Sequence, residues 1–310
     1  MRTQSSQRYV PLLLKILISL TFLYFVIRRV ELAPLLENLA HLNLGFALTA
    51  FAVMTCGGVA GSLSWYYVIC SSNMNLKFLS VLRLYWRGML LNSAMPSNIG
   101  GDVYKGWALS RNSNVSVADA ASTLIVDRVL NFSLLIMIGV ISLSLVHGAW
   151  LWTFAVTLFF VLMFVGLSLL AFKLKDIPVG SNRFILFFGS LLSLYQRPQC
   201  FFRTIIAAAL AQFLKIGCHF FVIRALALNI DAAVIWYIIP LFGVLSALPV
   251  SVGGLGLRES AAVLIATPTG CVTEDLVALS LAGHLLFLLV NLLGVFAFVR
   301  SASAQEGDRA

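Results

Sequence analysis

Residues 129–172 read VLNFSLLIMIGVISLSLVHGAWLWTFAVTLFFVLMFVGLSLLAF and contain no Asp, Glu, Lys or Arg. A membrane-crossing helix needs about 20 mostly apolar residues. The stretch is long enough for two, broken only at His147-Gly148. Val129 to Val146 is one expected span and Ala149 to Phe172 the next. A turn that short makes them an antiparallel hairpin. The rest of the chain agrees. Of its 310 residues 60% are hydrophobic and 11% charged, too apolar for a soluble fold of this length. Soluble domains run at roughly 45–50% apolar and about 25% charged. The missing solvent is lipid.

The formal net charge is +9. No basic face interleaved with exposed aromatics is visible, so no nucleic acid is expected as a partner. The basic residues fit membrane edges facing an anionic leaflet. Cys56, Cys70, Cys200, Cys218 and Cys271 form no C-x-x-C. They are expected to be packing residues, with neither a disulfide frame nor a metal site. No metal or other cofactor is expected.

Outward from the hairpin, the expected spans are Val10–Ile27, uncleaved, Gly45–Cys70, Thr204–Leu228, Ala232–Leu248 and Glu274–Val299. Glu31–His41 and Phe184–Tyr195 are expected interfacial helices. Residues 173–203 carry Lys173, Lys175, Arg183, Arg197 and Arg203 against Asp176 alone. That excess places this loop and the amino terminus in the cytoplasm. Phe78–Met95 is apolar but carries Arg83 and Arg87 on one helix face. Pro96 and Gly100-Gly101 break it. Parity then requires residues 78–111 to enter and leave on one side, and residues 250–273 to make a further crossing. The expected fold is all-α: a polytopic integral membrane helical bundle of seven to eight membrane helices, two of them re-entrant or broken. Residues 1–300 form one transmembrane domain and 301–310 a polar cytoplasmic tail.

The two irregular places match. Ser93-Ala94-Met95-Pro96-Ser97-Asn98-Ile99-Gly100-Gly101 aligns with Ser246-Ala247-Leu248-Pro249-Val250-Ser251-Val252-Gly253-Gly254 at an offset of 153 residues. Five of nine positions are identical, and the same offset carries Lys105 onto Arg258. This makes a candidate internal repeat with halves 10–147 and 149–300. Paired Pro/Gly-interrupted segments in two halves point to a transporter's midplane site. Proline ends a helix, and glycines let the backbone turn tightly and approach a ligand. Freed N–H groups at the next helix start then favour an anion. A phosphate-sized pocket follows, built from Gly100, Gly101, Lys105, Gly253, Gly254, Gly256 and Arg258.

Asn92-x-x-x-Pro96-x-x-x-Gly100-Gly101-Asp102, then Asp127-Arg128, then Pro249-x-x-x-Gly253-Gly254-x-Gly256-x-Arg258-Glu259, in that order, resemble the lysylphosphatidylglycerol synthase transmembrane family, also called the flippase-domain or YbhN-like (UPF0104) family. The resemblance covers roughly residues 10–300. It departs at residue 127, where the family pattern suggests Glu and this chain has Asp. The resemblance implies movement of a phospholipid or polyprenyl-linked lipid across a bacterial inner (plasma) membrane. The best-known members carry an aminoacyl transferase domain that no stretch of this sequence supplies.

Charged residues at membrane depth cost roughly 2.5–3.5 kcal/mol each on insertion scales, so they are paired or functional. The candidates for a polar cavity or charge relay are Asn92, Asp102, Asp127, Arg128, Glu259, Arg83, Arg87, Lys215 and His219. Structural ion pairs, such as Glu259 with Arg83, are the plainer alternative. His284 is expected to be a packed, hydrogen-bonded histidine, and Trp65-Tyr66-Tyr67 an interfacial belt. The chain has no H-E-x-x-H, G-x-S-x-G or P-loop. The expected function is therefore lipid translocation without catalytic residues. Two other classes remain: an intramembrane transferase on lipid-linked substrates, and a membrane partner of a lipid or glycan biosynthesis enzyme.

Overall fold

A computed structural model describes residues 42–94, 100–113, 115–148, 193–248 and 254–297, most of 150–159, and residues 162, 166, 190, 191 and 251. The expected span 10–27, the interfacial helix 31–41, the later part of the span 149–172, most of the interfacial helix 184–195, all of 167–189, the prolines Pro96 and Pro249, Gly253 and the tail lie outside them. Among the described residues the regular structure is all helix. We number the helices α1 (Leu44–Ser71), α2 (Phe78–Ala94), α3 (Gly100–Ser113), α4 (Val117–His147), α5 (Pro198–Ala225), α6 (Ile235–Ala247), α7 (Leu257–Thr269) and α8 (Thr273–Asn291).

Local sequence fixes their ends. Asn43 Oδ1 accepts from the N–H groups of Gly45 and Phe46, at 3.1 and 3.3 Å, and so caps α1. Ser116 Oγ accepts from Asp119 N at 3.1 Å and starts α4. Pro198 opens α5, where a missing N–H costs nothing. Gly148 closes α4, and helix resumes at Trp150, as the short turn predicts. The expected span Val129–Val146 is the later part of the longer helix α4, because Asp127-Arg128 does not interrupt its hydrogen bonds.

By length and composition α1, α4, α5 and α8 (continued to Ala297) can cross a bilayer. Their outer faces carry exposed Phe46, Leu145, Phe202, Ile206, Leu285 and Phe296, a surface suited to lipid. Helices α6 and α7 have 13 residues each. At 1.5 Å per residue each reaches only about 20 Å, short of the ~30 Å hydrocarbon core. Ala232–Leu248 is therefore not a full span, because α6 starts three residues late and stops at the break.

Helices α2 and α3 pack antiparallel. A Cβ on Gly88 would meet the Lys105 side chain, and one on Gly101 would meet the Gly88 carbonyl oxygen and Asn92. The two helices form a hairpin. Helices α1 and α5 also run antiparallel along their whole length. At one end Asn43 N donates to Ala225 O at 2.8 Å. At the other, Arg197 Nη1 donates to Cys70 O at 3.2 Å. Between them Cys218 Sγ lies 3.7 Å from Met54 Sδ.

The 153-residue offset extends far beyond the nine matched positions. It carries residues 44–71 to 197–224, almost coincident with α5, and residue 94, the end of α2, to residue 247, the end of α6. Helices α3 and α4 land on α7 and α8. The packing obeys the same exchange. Helix α4 packs on α6 as α8 packs on α2; α1 on α2 as α5 on α6; α3 on α4 as α7 on α8; α4 on α5 as α8 on α1; α1 on α4 as α5 on α8; and α2 on α3 as α6 on α7. The α1–α5 pair maps onto itself. Since α1 and α5 are spans of opposite direction, the two four-helix units have inverted topology. Among the described residues the exchange relates 44–147 to 198–297.

Candidate functional site: a charged cavity between the two halves

A cavity of about 440 Å³ opens where the halves meet. Its lining comes from every helix except α3's outer face and the body of α7: α1 supplies Met54, α2 supplies Tyr85, Met89, Asn92 and Ser93, and α3 supplies Lys105. Helix α4 contributes Asp127, Arg128, Asn131 and Phe132, and α5 contributes Gln212, Lys215 and His219. The second half closes it with Ser246, Leu255, Arg258, Ser280 and His284. The helical repeat explains the grouping: Asp127 and Asn131, Lys215 and His219, and Ser280 and His284 are each four residues apart, on one face of their helix.

Of the sequence candidates, Asn92, Lys105, Asp127, Arg128, Lys215, His219 and Arg258 line this space. Asp102 sits beside it. Its Oδ1 is 2.6 Å from Lys105 Nζ and its Oδ2 is 2.5 Å from Arg128 Nη2. The Lys105 ammonium also lies over the rings of Trp65 and Tyr85, at 5.5 and 5.2 Å. Asp127 Oδ1 accepts from Ser64 Oγ at 2.8 Å and from Asn131 Nδ2 at 3.0 Å. Gln212 Nε2 donates to Asn131 Oδ1 at 3.1 Å, so the polar wall is continuous from α4 to α5. His219 Nδ1 faces the carbonyl of Lys215 at 3.0 Å, and its ring packs on Gly283.

The glycines act differently from expectation. Gly100 and Gly101 lie in the first turn of α3 rather than in a loop. The buried N–H of Gly101 donates to Asn92 Oδ1 at 2.7 Å, so it is spent on the protein. Its missing Cβ serves the close approach of α3 to α2. The N–H of Gly256 is spent in the same way, on Glu259 Oε2 at 2.7 Å. Gly254 and Gly256 have φ of +79° and +81°, a conformation that only glycine adopts freely. They turn the chain into α7 and carry Arg258 to the cavity. The N–H groups of Gly101 and Gly256 are thus spent on the protein, while Lys105 and Arg258 reach the cavity.

Glu259 is fully buried and accepts from Ser280 Oγ at 2.8 Å, while Arg258 Nη2 stands 3.9 Å away. It caps α7 and ties it to α8, and its partner is not Arg83. Neither Arg83 nor Arg87 lines the cavity. Arg87 donates through Nε and Nη2 to Ala297 O, at 2.9 and 2.6 Å, clamping α2 to the end of α8. Arg224 stacks on Phe220 outside the cavity. Trp65, an expected interfacial residue, is fully buried and donates to Thr123 Oγ1 at 3.1 Å. Tyr85, Asn131, Gln212 and Ser280 were not singled out by sequence, and His284 was read as packing. Asn131 lies four residues after Asp127 and Gln212 three before Lys215, which was the available signal, while Tyr85 and Ser280 carried none.

No group of three or more His, Cys, Asp or Glu suited to a metal occurs among the described residues.

A helical, polytopic membrane protein whose inverted halves enclose a cation-rich cavity is the class that fold and site define. The chain belongs to the family described as the lysylphosphatidylglycerol synthase TM region, whose model matches residues 12–294. It is 23% identical over 167 residues to UPF0104 membrane protein MJ1595 of Methanocaldococcus jannaschii, a match covering 50% of each chain. The matched region thus spans about half the length of that curated relative.

Proposed function

We propose that this protein moves the phosphate-bearing headgroup of a lipid across the membrane through the cavity, while the acyl chains stay in the bilayer. The observation that carries the proposal is the balance of charge in that space. Lys105, Arg128, Lys215 and Arg258 line it, against Asp127 in the lining and Asp102 beside it. Arg258 Nε and Nη2 are buried without a hydrogen-bond partner. The Lys215 ammonium forms no hydrogen bond or ion pair with a described residue. Cations at membrane depth without hydrogen-bond partners are costly unless a ligand compensates them. An anion does so, and a guanidinium fits phosphate oxygens in a bidentate fashion.

Inverted halves support movement rather than mere binding. Two units of opposite direction around one site can expose it alternately to either side. The substrate is a phospholipid or polyprenyl-linked lipid. The membrane is the inner membrane, with the amino terminus and residues 173–203 in the cytoplasm. The α2–α3 hairpin then enters from the cytoplasmic side and α6–α7 from the opposite side.

The test is a headgroup-accessibility assay in liposomes, with fluorescent phosphatidylglycerol quenched from outside. Wild type should move probe into and out of the protected leaflet, and Arg258→Gln should lose at least nine-tenths of the rate. An unchanged rate in Arg258→Gln overturns the assignment. Turnover of the lipid to a new compound would favour a transferase instead.

A further inference from the structure

The pseudo-symmetry makes Lys105 and Arg258 equivalent, yet the two are in opposite states. Lys105 is satisfied: its side chain is 5% exposed, paired with Asp102 and boxed by two aromatic rings. Arg258 is not. Two of its nitrogens are buried without a hydrogen bond, and both oxygens of the neighbouring Glu259 are already engaged by Ser280 and Gly256. The hydroxyls of Ser251 and Ser260, in the same segment, are also buried without a partner. Native interiors leave few such groups, and each calls for an explanation.

The difference traces to one substitution between the halves. The offset carries Asp102 onto Leu255, which lines the cavity. Only the first half therefore carries an anion in close contact with the equivalent cation, at 2.6 Å, whereas the Glu259 carboxylate stands 3.9 Å from Arg258 and is held by Ser280 and Gly256. That anion holds two cations at once, at 2.6 and 2.5 Å, in the forked manner of a phosphate with two free oxygens.

We propose that the cavity contains two anion stations for phosphate, one at Arg258 and one at Lys105 with Arg128, and that Asp102 is a built-in counter-anion that keeps the second station closed until a phosphate displaces it. The proposal rests on the headgroup-handling function above and gives it a direction of travel within the site. The open station receives the phosphate. When the halves exchange conformations, the Lys105 station takes it and Asp102 is released. Asp102 then returns to Lys105 as the phosphate leaves, which resets the protein without leaving two cations bare at membrane depth.

The experiment is binding to purified full-length protein by native mass spectrometry, with phosphatidylglycerol, phosphatidylcholine and inorganic phosphate as separate probes. Phosphatidylglycerol binding with inorganic phosphate inert identifies a lipid headgroup. Binding of inorganic phosphate as well identifies the free anion as sufficient. Arg258→Gln should lose phosphatidylglycerol binding about tenfold or more, the worth of a hydrogen bond to a charged group. Asp102→Asn should strengthen binding by about as much, because the internal competitor is gone. The double variant Asp102→Asn with Arg258→Gln should regain binding lost in Arg258→Gln alone. Adding Lys105→Met should abolish that recovery.

A merely structural Asp102 predicts the reverse: weaker binding in Asp102→Asn and no recovery in the double variant. That result overturns the two-station proposal. If Asp102→Asn does not fold, Asp102→Asn with Lys105→Met removes both charges together. In that fold the Arg258 station should bind as in wild type, and loss of binding overturns the proposal. Failure of these arms while Arg258→Gln still stops headgroup movement leaves the translocation function standing. Movement at the wild-type rate in Arg258→Gln removes that function itself.

Discussion

Replacing Glu259 by Ala removes a carboxylate that is 0% exposed and accepts two hydrogen bonds, from Gly256 N at 2.7 Å and Ser280 Oγ at 2.8 Å. Hydrogen bonds to a charged group are worth about 1.5–3 kcal/mol each, and breaking a buried charged network costs about 3–5 kcal/mol. The two bonds together give about 3–5 kcal/mol, because the void left behind adds to the cost and partial relaxation subtracts from it. Arg258 also loses the carboxylate 3.9 Å away. In detergent the melting temperature of Glu259→Ala should fall by about 5–10 °C. Glu259→Gln keeps the shape and a carbonyl acceptor for Gly256, and its amide can donate to Ser280. Its loss should be about 1–2 kcal/mol. The series separates a cap from a relay. A cap predicts that Glu259→Gln retains most headgroup movement despite having no charge to relay. A melting temperature for Glu259→Ala within about 1 °C of wild type would refute the packing described for the start of α7.

Three further outcomes are expected. Gly101→Ala should destabilise by about 2–3 kcal/mol, since the added carbon meets the Gly88 carbonyl oxygen, whereas Gly217→Ala, with open space at its Cβ, should gain up to about 1 kcal/mol; thermal melts of the pair check this. Lys215→Met should raise the melting temperature while lowering headgroup movement, because an unpaired cation costs about 2.5–3.5 kcal/mol at membrane depth and the function needs it. In a background otherwise free of cysteine, Asn43→Cys with Ala225→Cys should cross-link, and so should Arg197→Cys with the native Cys70. Impermeant reductant should reach the two disulfides from opposite sides of the membrane, and access from one side only would refute the inverted topology.

Composition alone settled that the chain resides in lipid, because no interior could hide so many apolar side chains from water. Cap residues and turn glycines, such as Asn43, Ser116 and Gly148, set helix ends within a few residues. The two matched Pro/Gly breaks announced a repeat, and its offset pointed at Lys105 and Arg258 before any contact was known. Sequence could not give the direction of one half against the other. That depends on α1 and α5 packing antiparallel, a contact between residues far apart in the chain. Nor could it sort charged side chains by duty. Arg87 and Glu259 look as functional as Lys215 in one dimension, but packing spends the first on a carbonyl and the second on a helix cap. Asn131, Gln212 and Ser280 are unremarkable as letters and become part of the cavity only because three helices turn the same faces inward. Periodicity fixes which face a residue lies on. Only the packed bundle decides what that face meets, and so which few charges are left for a ligand.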